Sequence, residues 1–323
     1  MSNSNQLEMM ERIALDLEGV ERALASSFNT GSEDFNTLIR PLSEAGGKRL
    51  RAQLCLLIAN AGQSVEEERI KIAEAVEMLH LATLIHDDVL DQAEIRRGEE
   101  TIHKHKGNKV AILSGDYLFA KAFRIVSEMP HMEYLKIFSH IITCLVEGEF
   151  MQMEDVYRID QGIDRYMTKT QKKTADFMEG CMELGGLLGG WSSDEIMYLK
   201  RYGHALGMAF QITDDIMDYR ETSDTTGKPV GNDLREGLLT YPLLSIVNES
   251  NQNQLLQDIK NLNHGGNEQE IIDYVIAQGG IDNTLRVAQQ YCDDALSALQ
   301  AIRDFEGKEF LVLAVQNLAD RKV

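Results

Sequence analysis

Proline and tryptophan are nearly missing from this 323-residue chain, which has four of the first and one of the second. With Leu, Ala, Glu, Met, Lys and Gln plentiful and proline this rare, the composition is that of helices rather than strands. The fold class expected is all-α. Cysteine is also sparse. Cys55, Cys144, Cys181 and Cys292 lie far apart with no C-x-x-C pair, which suggests neither a zinc knuckle nor a disulfide framework and fits core thiols in a reducing cytosol. No run of about 18 apolar residues occurs, and MSNSNQLEMMER lacks the apolar stretch of a secretory leader. The expected place is therefore the cytoplasm, although a greasy substrate or product could bring the protein to a membrane surface. Basic residues are outnumbered 32 to 52 for a net charge of −20, which argues against a nucleic-acid partner. Nothing marks a linker long enough to divide the chain, so one domain over 1–323 is expected.

The helical pattern is long-range. Ser64 and Glu67 have the spacing of a capping box, and no Gly or Pro interrupts the chain from there to Asp91. At 1.5 Å per residue such a helix is on the order of 40 Å long. Between Met78 and Ile85 it is apolar on almost every side, as in a buried helix. Ser192 and Glu195 repeat the capping signal after GGLLGG. Further helices are expected over 5–27, 34–61, 108–128, 131–157, 164–188, 238–250, 268–278, 283–304 and 307–320. NESNQNQ and NHGGNEQ read as exposed loops.

Two of these helices end in the same way. LIHDDVLD, from Leu84, and QITDDIMD, from Gln211, each place three aspartates as D-D-apolar-apolar-D after an apolar run. Like charges this close raise one another's pKa values, so something must offset the repulsion. Residues i and i+4 share a helix face, which sets Asp87 above Asp91 with Asp88 about 100° round; Asp214, Asp215 and Asp218 repeat the arrangement. Carboxylates so grouped suit Mg²⁺, a hard cation that completes its shell with water and phosphate. One such cluster could be a solvated acidic face, but a matched pair with apolar flanks points to Mg²⁺ bridging to a phosphorylated substrate. Two basic islands agree: GGKRLR carries Lys48, Arg49 and Arg51, and EIRRGEET carries Arg96 and Arg97 just after the first cluster. Helix N-termini and arginine forks both favour phosphate oxygens.

GGKRLR, LIHDDVLD with its RRG, GDYLFAKAF, EGEFMQ, KKTADF, QITDDIMD and GKPVGNDLREG together resemble the trans-polyprenyl diphosphate synthases, in the order found there and over nearly the whole chain. The likeness is strongest to the long-chain bacterial type, component 2 of heptaprenyl diphosphate synthase in particular. It implies a helical bundle around a deep central cavity with both aspartate motifs at its mouth. It further implies that Asp87, Asp88, Asp91, Asp214, Asp215 and Asp218 hold about three Mg²⁺ ions, with Mn²⁺ as a substitute, on an allylic diphosphate. Arg96, Lys173, Gln211 and Lys228 would contact that diphosphate; Lys48, Arg51, His80 and Arg97 would hold isopentenyl diphosphate. Thr174 lies where the family stabilises the developing carbocation, and Glu149 and Gln152 match a polar pair near the site. The departing diphosphate would serve as base, so His86 is expected to be a structural neighbour. Leu238 departs from the family, which commonly has a lysine there for diphosphate. Arg321 and Lys322 resemble a basic tail that closes over isopentenyl diphosphate in relatives.

The product implied is heptaprenyl, for quinone side chains such as that of menaquinone. Thr83 and Ala82, four and five residues before Asp87, and Met78 beyond them would set its length, since one helical turn rises about 5.4 Å, close to one extended isoprene unit. The working assembly would be a homodimer or a heterodimer with a small non-catalytic subunit. Other readings stand beside this one: a shorter-chain geranylgeranyl synthase, an HD-type phosphohydrolase using His80 and HDD, a terpene cyclase, or the non-catalytic partner of a heteromeric synthase. The phosphohydrolase reading leaves the second cluster and GGKRLR unexplained, a cyclase would mix Asn, Ser and Glu into its second motif, and a scaffold would be expected to lose aspartates.

Overall fold

The computed structural model describes residues 3–28, 33–44, 49–96, 98–220 and 231–319. Lys48, Arg97, Lys228, Arg321 and Lys322, all assigned roles above, lie outside the described residues. Helices α1 (Asn3–Ser27), α2 (Glu33–Glu44), α3 (Leu50–Asn60) and α4 (Glu66–Leu90) are followed by a hairpin, β1 (Ile95–Arg96) and β2 (Glu99–Glu100). Then come α5 (Ile102–Lys106), α6 (Asn108–Ser127), α7 (Met132–Asp155), α8 (Gly162–Thr170), a π-helical turn (Gln171–Ala175), α9 (Asp176–Leu188) and α10 (Ser193–Arg220). The last stretch holds α11 (Asn232–Glu236), α12 (Tyr241–Leu244), α13 (Gln252–Asn261), α14 (Glu268–Ala277), α15 (Gly280–Gln300) and α16 (Lys308–Ala319). The all-α expectation holds, with the two-residue strands of the hairpin as a small departure.

Several boundaries move for physical reasons. The Ser64–Glu67 box does not form: Val65 is the N-cap of α4, Ser64 Oγ donates to the Ala59 carbonyl at 2.7 Å, and Glu67 pairs with Lys71 instead. Three glutamates in its first turn face the helix dipole favourably. The Ser192–Glu195 box does form, with Ser192 N–H donating to Glu195 Oε2 at 3.1 Å and Glu195 N–H to Ser192 Oγ at 3.3 Å. The helix expected over 34–61 is two helices, and that over 164–188 contains the π-helical turn. Only Tyr241–Leu244 is helical within 238–250, and Gln252–Asn261 forms a helix where part of a loop was expected.

The chain folds as two compact units. The first comprises Met1–Ser139, Gly180–Met197 and Asp304–Gly307. In it α4 packs against α1, α3 and α6, burying Ile72, Val76, Met78, Leu79 and Ile85. The single tryptophan closes this unit, as Trp191 Nε1 donates to the Ile58 carbonyl at 3.0 Å and its ring meets Phe305 edge-on. The second comprises His140–Glu179, Tyr198–Arg303 and Lys308–Val323. Met208, Ile212 and Ile216 of α10 pack there against Tyr166, Leu234, Leu243, Ile272 and Val275. All four cysteines are buried thiols, and among the described residues no helix is long and apolar enough to cross a membrane.

Candidate active site

The first aspartate cluster, in the first unit, ends α4. Asp91 caps the helix, its N–H donating to the Asp87 carbonyl at 2.8 Å. Asp87 is half-buried, Asp91 exposed and Asp88 only 5% exposed. The turn that follows α4, with Gln92 in left-handed geometry and the Ala93 N–H donating to the Asp88 carbonyl at 3.0 Å, brings the chain back so that Arg96 Nε donates to Asp88 Oδ1 at 2.5 Å. Burial nevertheless holds the Asp88 carboxyl above its usual range, against the pull of Arg96 and, more weakly, of His103. His86, next to Asp87, has its ring obliquely near Phe119 and its Nε2 3.2 Å from the Ile112 carbonyl and 3.5 Å from Asp116 Oδ1. That ring lies against Gly115 so closely that any Cβ there would collide with it, which accounts for the glycine of GDYLFAKAF.

GGKRLR divides. Arg51 Nη1 approaches His80 Nε2 at 3.5 Å, and burial lowers the Arg51 pKa despite attraction from Cys181, Glu77 and Asp87. Arg49 is not a phosphate anchor: it is buried, in left-handed backbone geometry, and bound to Glu21 at 2.8 Å and to Glu77 at 3.1 Å. A guanidinium so paired holds α1, α3 and α4 together. On α4 Met78 and Ala82 have no exposed surface, and Thr83 is half-buried with its hydroxyl donating to the His80 carbonyl at 2.8 Å.

In the second unit α10 carries Gln211 and the other cluster. Thr174 Oγ1 donates to Gln211 Oε1 at 3.0 Å and Gln211 Nε2 to Asp215 Oδ1 at 3.1 Å; the Tyr166 hydroxyl donates to Asp215 Oδ2. Asp215 is 5% exposed. Burial pushes it up to about 7, with these two hydrogen bonds and Lys169 opposing and Asp214 adding to the rise. Asp214 is exposed, while Asp218 accepts from the backbone N–H groups of Asn232 (3.0 Å) and Asp233 (3.2 Å) at the start of α11. Lys173 and Thr174 sit in the π-helical turn, where the Asp176 N–H reaches back to the Gln171 carbonyl; such turns are frequent at functional sites. Lys173 pairs with Glu149 at 2.6 Å, and Gln152 is half-buried one turn along α7. Leu238 is half-buried, its N–H donating to the Asp233 carbonyl at 2.8 Å.

Tyr166 and Lys169 are site residues that the sequence reading missed. Buried Lys169 lies 3.5 Å from Asp155 and 3.3 Å from Gln161, and burial lowers its pKa. Their spacing of seven and four residues before Lys173 is helical, the one local signal that pointed to them. For a metal, both clusters offer only carboxylates, hard oxygen donors with half-buried and exposed members in each; each oxygen accepts more than one bond, so the donor set fits Mg²⁺.

A profile of the family described as Polyprenyl synthetase matches residues 32–278. Octaprenyl diphosphate synthase of Escherichia coli (strain K12) is 32% identical over 312 residues, covering 95% of this chain and 96% of its own. Heptaprenyl diphosphate synthase component 2 of Geobacillus stearothermophilus is 32% identical over 296 residues, 92% of each. Among solved structures, that of polyprenyl synthase from Caulobacter crescentus CB15, complexed with calcium and isoprenyl diphosphate, matches with a TM-score of 0.87 at 30% identity over 100% of this chain and 98% of that one. With relatives at this identity covering nearly its whole length, the chain belongs to the polyprenyl synthetase family and is a trans-polyprenyl diphosphate synthase of the long-chain type, a prenyltransferase.

Proposed function

We propose that the chain, acting as one synthase domain over 1–323, condenses isopentenyl diphosphate head-to-tail with an allylic diphosphate, farnesyl diphosphate in the first instance, to make all-trans heptaprenyl diphosphate for a quinone side chain such as that of menaquinone. The observation that carries the reading is the pair of matched aspartate clusters at the ends of α4 and α10. The six aspartates would hold Mg²⁺ on the allylic diphosphate. When bound, the ion neutralises charge developing on the leaving group.

The remaining work falls to the chain itself. Arg96, Lys173, Gln211 and Lys228 orient the allylic diphosphate; Lys48, Arg51, His80 and Arg97 hold isopentenyl diphosphate with its double bond towards the allylic carbon. As the allylic C–O bond breaks, that double bond attacks the cation, a new C–C bond forms, and a proton passes to the departing diphosphate. Thr174 is held by Gln211, which would fix its oxygen near the developing positive charge. Stabilisation of this kind is electrostatic and needs no protein nucleophile.

The partner is a second polypeptide, either a second copy or a small dissimilar subunit, the latter suggested by the word component in the name of the Geobacillus relative. Octaprenyl and heptaprenyl relatives are equally identical to this chain, so product length rests on the residues behind Asp87. The deciding experiment incubates the purified chain with farnesyl diphosphate, labelled isopentenyl diphosphate and Mg²⁺ and separates products by chromatography. Heptaprenyl diphosphate, formed by the chain alone or after a second polypeptide is added, supports the reading; full activity in excess EDTA overturns it.

A further inference from the structure

The start of α9 and the middle of α10 run side by side in the second unit, and their pairs of contacts march in opposite senses: Thr174 with Gln211, Ala175 with Gly207, Glu179 with His204 and then with Lys200. The helices are therefore antiparallel and close. At Gly207 an added Cβ would lie 2.6 Å from the Ala175 Cα, so only a residue without a side chain fits there. Beside this contact Asp176, Glu179 and His204 each bring one potential ligand atom into a group whose members all lie within 4.8 Å of one another.

The geometry is that of a chelate. Asp176 and Glu179 are three residues apart on α9, a spacing that shares a face, and His204 meets them from α10. His204 Nδ1 is 3.5 Å from Glu179 Oε2. That is long for a strong hydrogen bond and close to the roughly 3.3 Å that separates two ligands each about 2.0 Å from one tetrahedral ion. Buried Asp176 is oriented from outside the group, since Gln171 Nε2 donates to its Oδ1 at 3.2 Å, as outer partners orient metal-binding carboxylates. Glu179 and His204 are half-buried, which leaves a way in from solvent. The ammonium of Lys200, 3.5 Å from Glu179 Oε1 and partly exposed, is the group an incoming cation would displace.

We propose that Asp176, Glu179 and His204 form a binding site for a late first-row divalent cation of the Zn²⁺ class, separate from the aspartate clusters, with water completing the shell. Ligand chemistry separates the two kinds of site. The clusters offer carboxylates alone and suit Mg²⁺, whereas an imidazole selects Zn²⁺, Co²⁺ or Ni²⁺ over Mg²⁺. An ion here would tie α9 to α10 beside the Thr174–Gln211 contact.

Co²⁺ is the probe, titrated into the full chain in excess Mg²⁺ with the aspartate clusters saturated, and followed by its visible ligand-field absorption. The expected result is one equivalent of Co²⁺ with a band far stronger than that of octahedral all-oxygen Co²⁺, displaced by Zn²⁺. His204→Ala and Glu179→Gln, each with an unchanged circular dichroism spectrum, should weaken binding at least tenfold; should one of them fail to fold, the other decides. Absence of the band in the wild-type chain overturns the proposal. So does a band that survives both substitutions, or one that survives them but is lost in Cys144→Ala, which would put the ion on the Cys144 thiol and the neighbouring His140.

Discussion

Asp88 and Asp215 show what single residues contribute. Each is buried, each has its carboxyl pushed upward by that burial, and each is held by named donors: Arg96 in the first case, Tyr166 and Gln211 in the second. Groups on the ionising substrate should act in the transition state, so Asp88→Ala is expected to lower kcat by about 10²-fold, as loss of one preorganised electrostatic group does. Lys48→Ala should mainly raise KM for isopentenyl diphosphate, because it would hold the substrate that does not ionise. Steady-state kinetics with both substrates varied would reject this division if the two variants behaved alike. Tyr166→Phe tests the support of Asp215. A buried acceptor left one donor short costs about 1–3 kcal/mol, which a thermal melt reads as a drop of roughly 2–4 °C per kcal/mol for a unit of this size; an unchanged midpoint would mean that Asp215 finds another donor. The six aspartates were legible because their spacing repeats. Tyr166 was not, because it lies 49 residues before its partner, and Arg49 was misread because its partners Glu21 and Glu77 are each 28 residues away.

At the scale of elements, periodicity located most helices, and what it missed was local competition. Ser64 turned back to the Ala59 carbonyl at the end of α3, and the hairpin was invisible because its strands are two residues each, too short for alternation to register. Arg96 lies on the first of these strands, and it is the turn after α4, with Gln92 in left-handed geometry, that lets it reach Asp88. Helix α4 sets the test for product length. If the growing chain runs back from Asp87 along this helix, each turn of about 5.4 Å left open admits roughly one more isoprene unit, and Ala82 with Thr83 is the first gap. Ala82→Phe should give a folded, active enzyme whose products stop near C15 to C20, read by chromatography of the dephosphorylated alcohols. Unchanged products with normal folding would place the floor elsewhere. Loss of folding would mean that Ala82 is small because a neighbouring helix packs on it, which its complete burial also allows.

For the whole molecule the informative features are charge and what interrupts it. A chain of net charge −20 repels its own copies, so an apolar face kept on its surface needs a reason. On α7 Val146, Phe150 and Met153 are 48%, 62% and 56% exposed, spaced four and three residues apart along one stripe. Exposed apolar stripes of this kind mark interaction sites, and the second polypeptide proposed above is what would cover this one. Light scattering should give the working enzyme, whether the chain alone or with a small subunit, a mass above the 36.3 kDa of one chain. Phe150→Glu puts a further negative charge at the centre of the stripe and should return the chain to 36.3 kDa with an unchanged circular dichroism spectrum. If the added subunit is a second copy, salt should strengthen the wild-type association, because raising ionic strength from about 0.01 to 0.15 M shortens the Debye length from about 30 to 8 Å and screens repulsion while leaving apolar burial intact. A Phe150→Glu protein that keeps the wild-type mass would place the interface on another face.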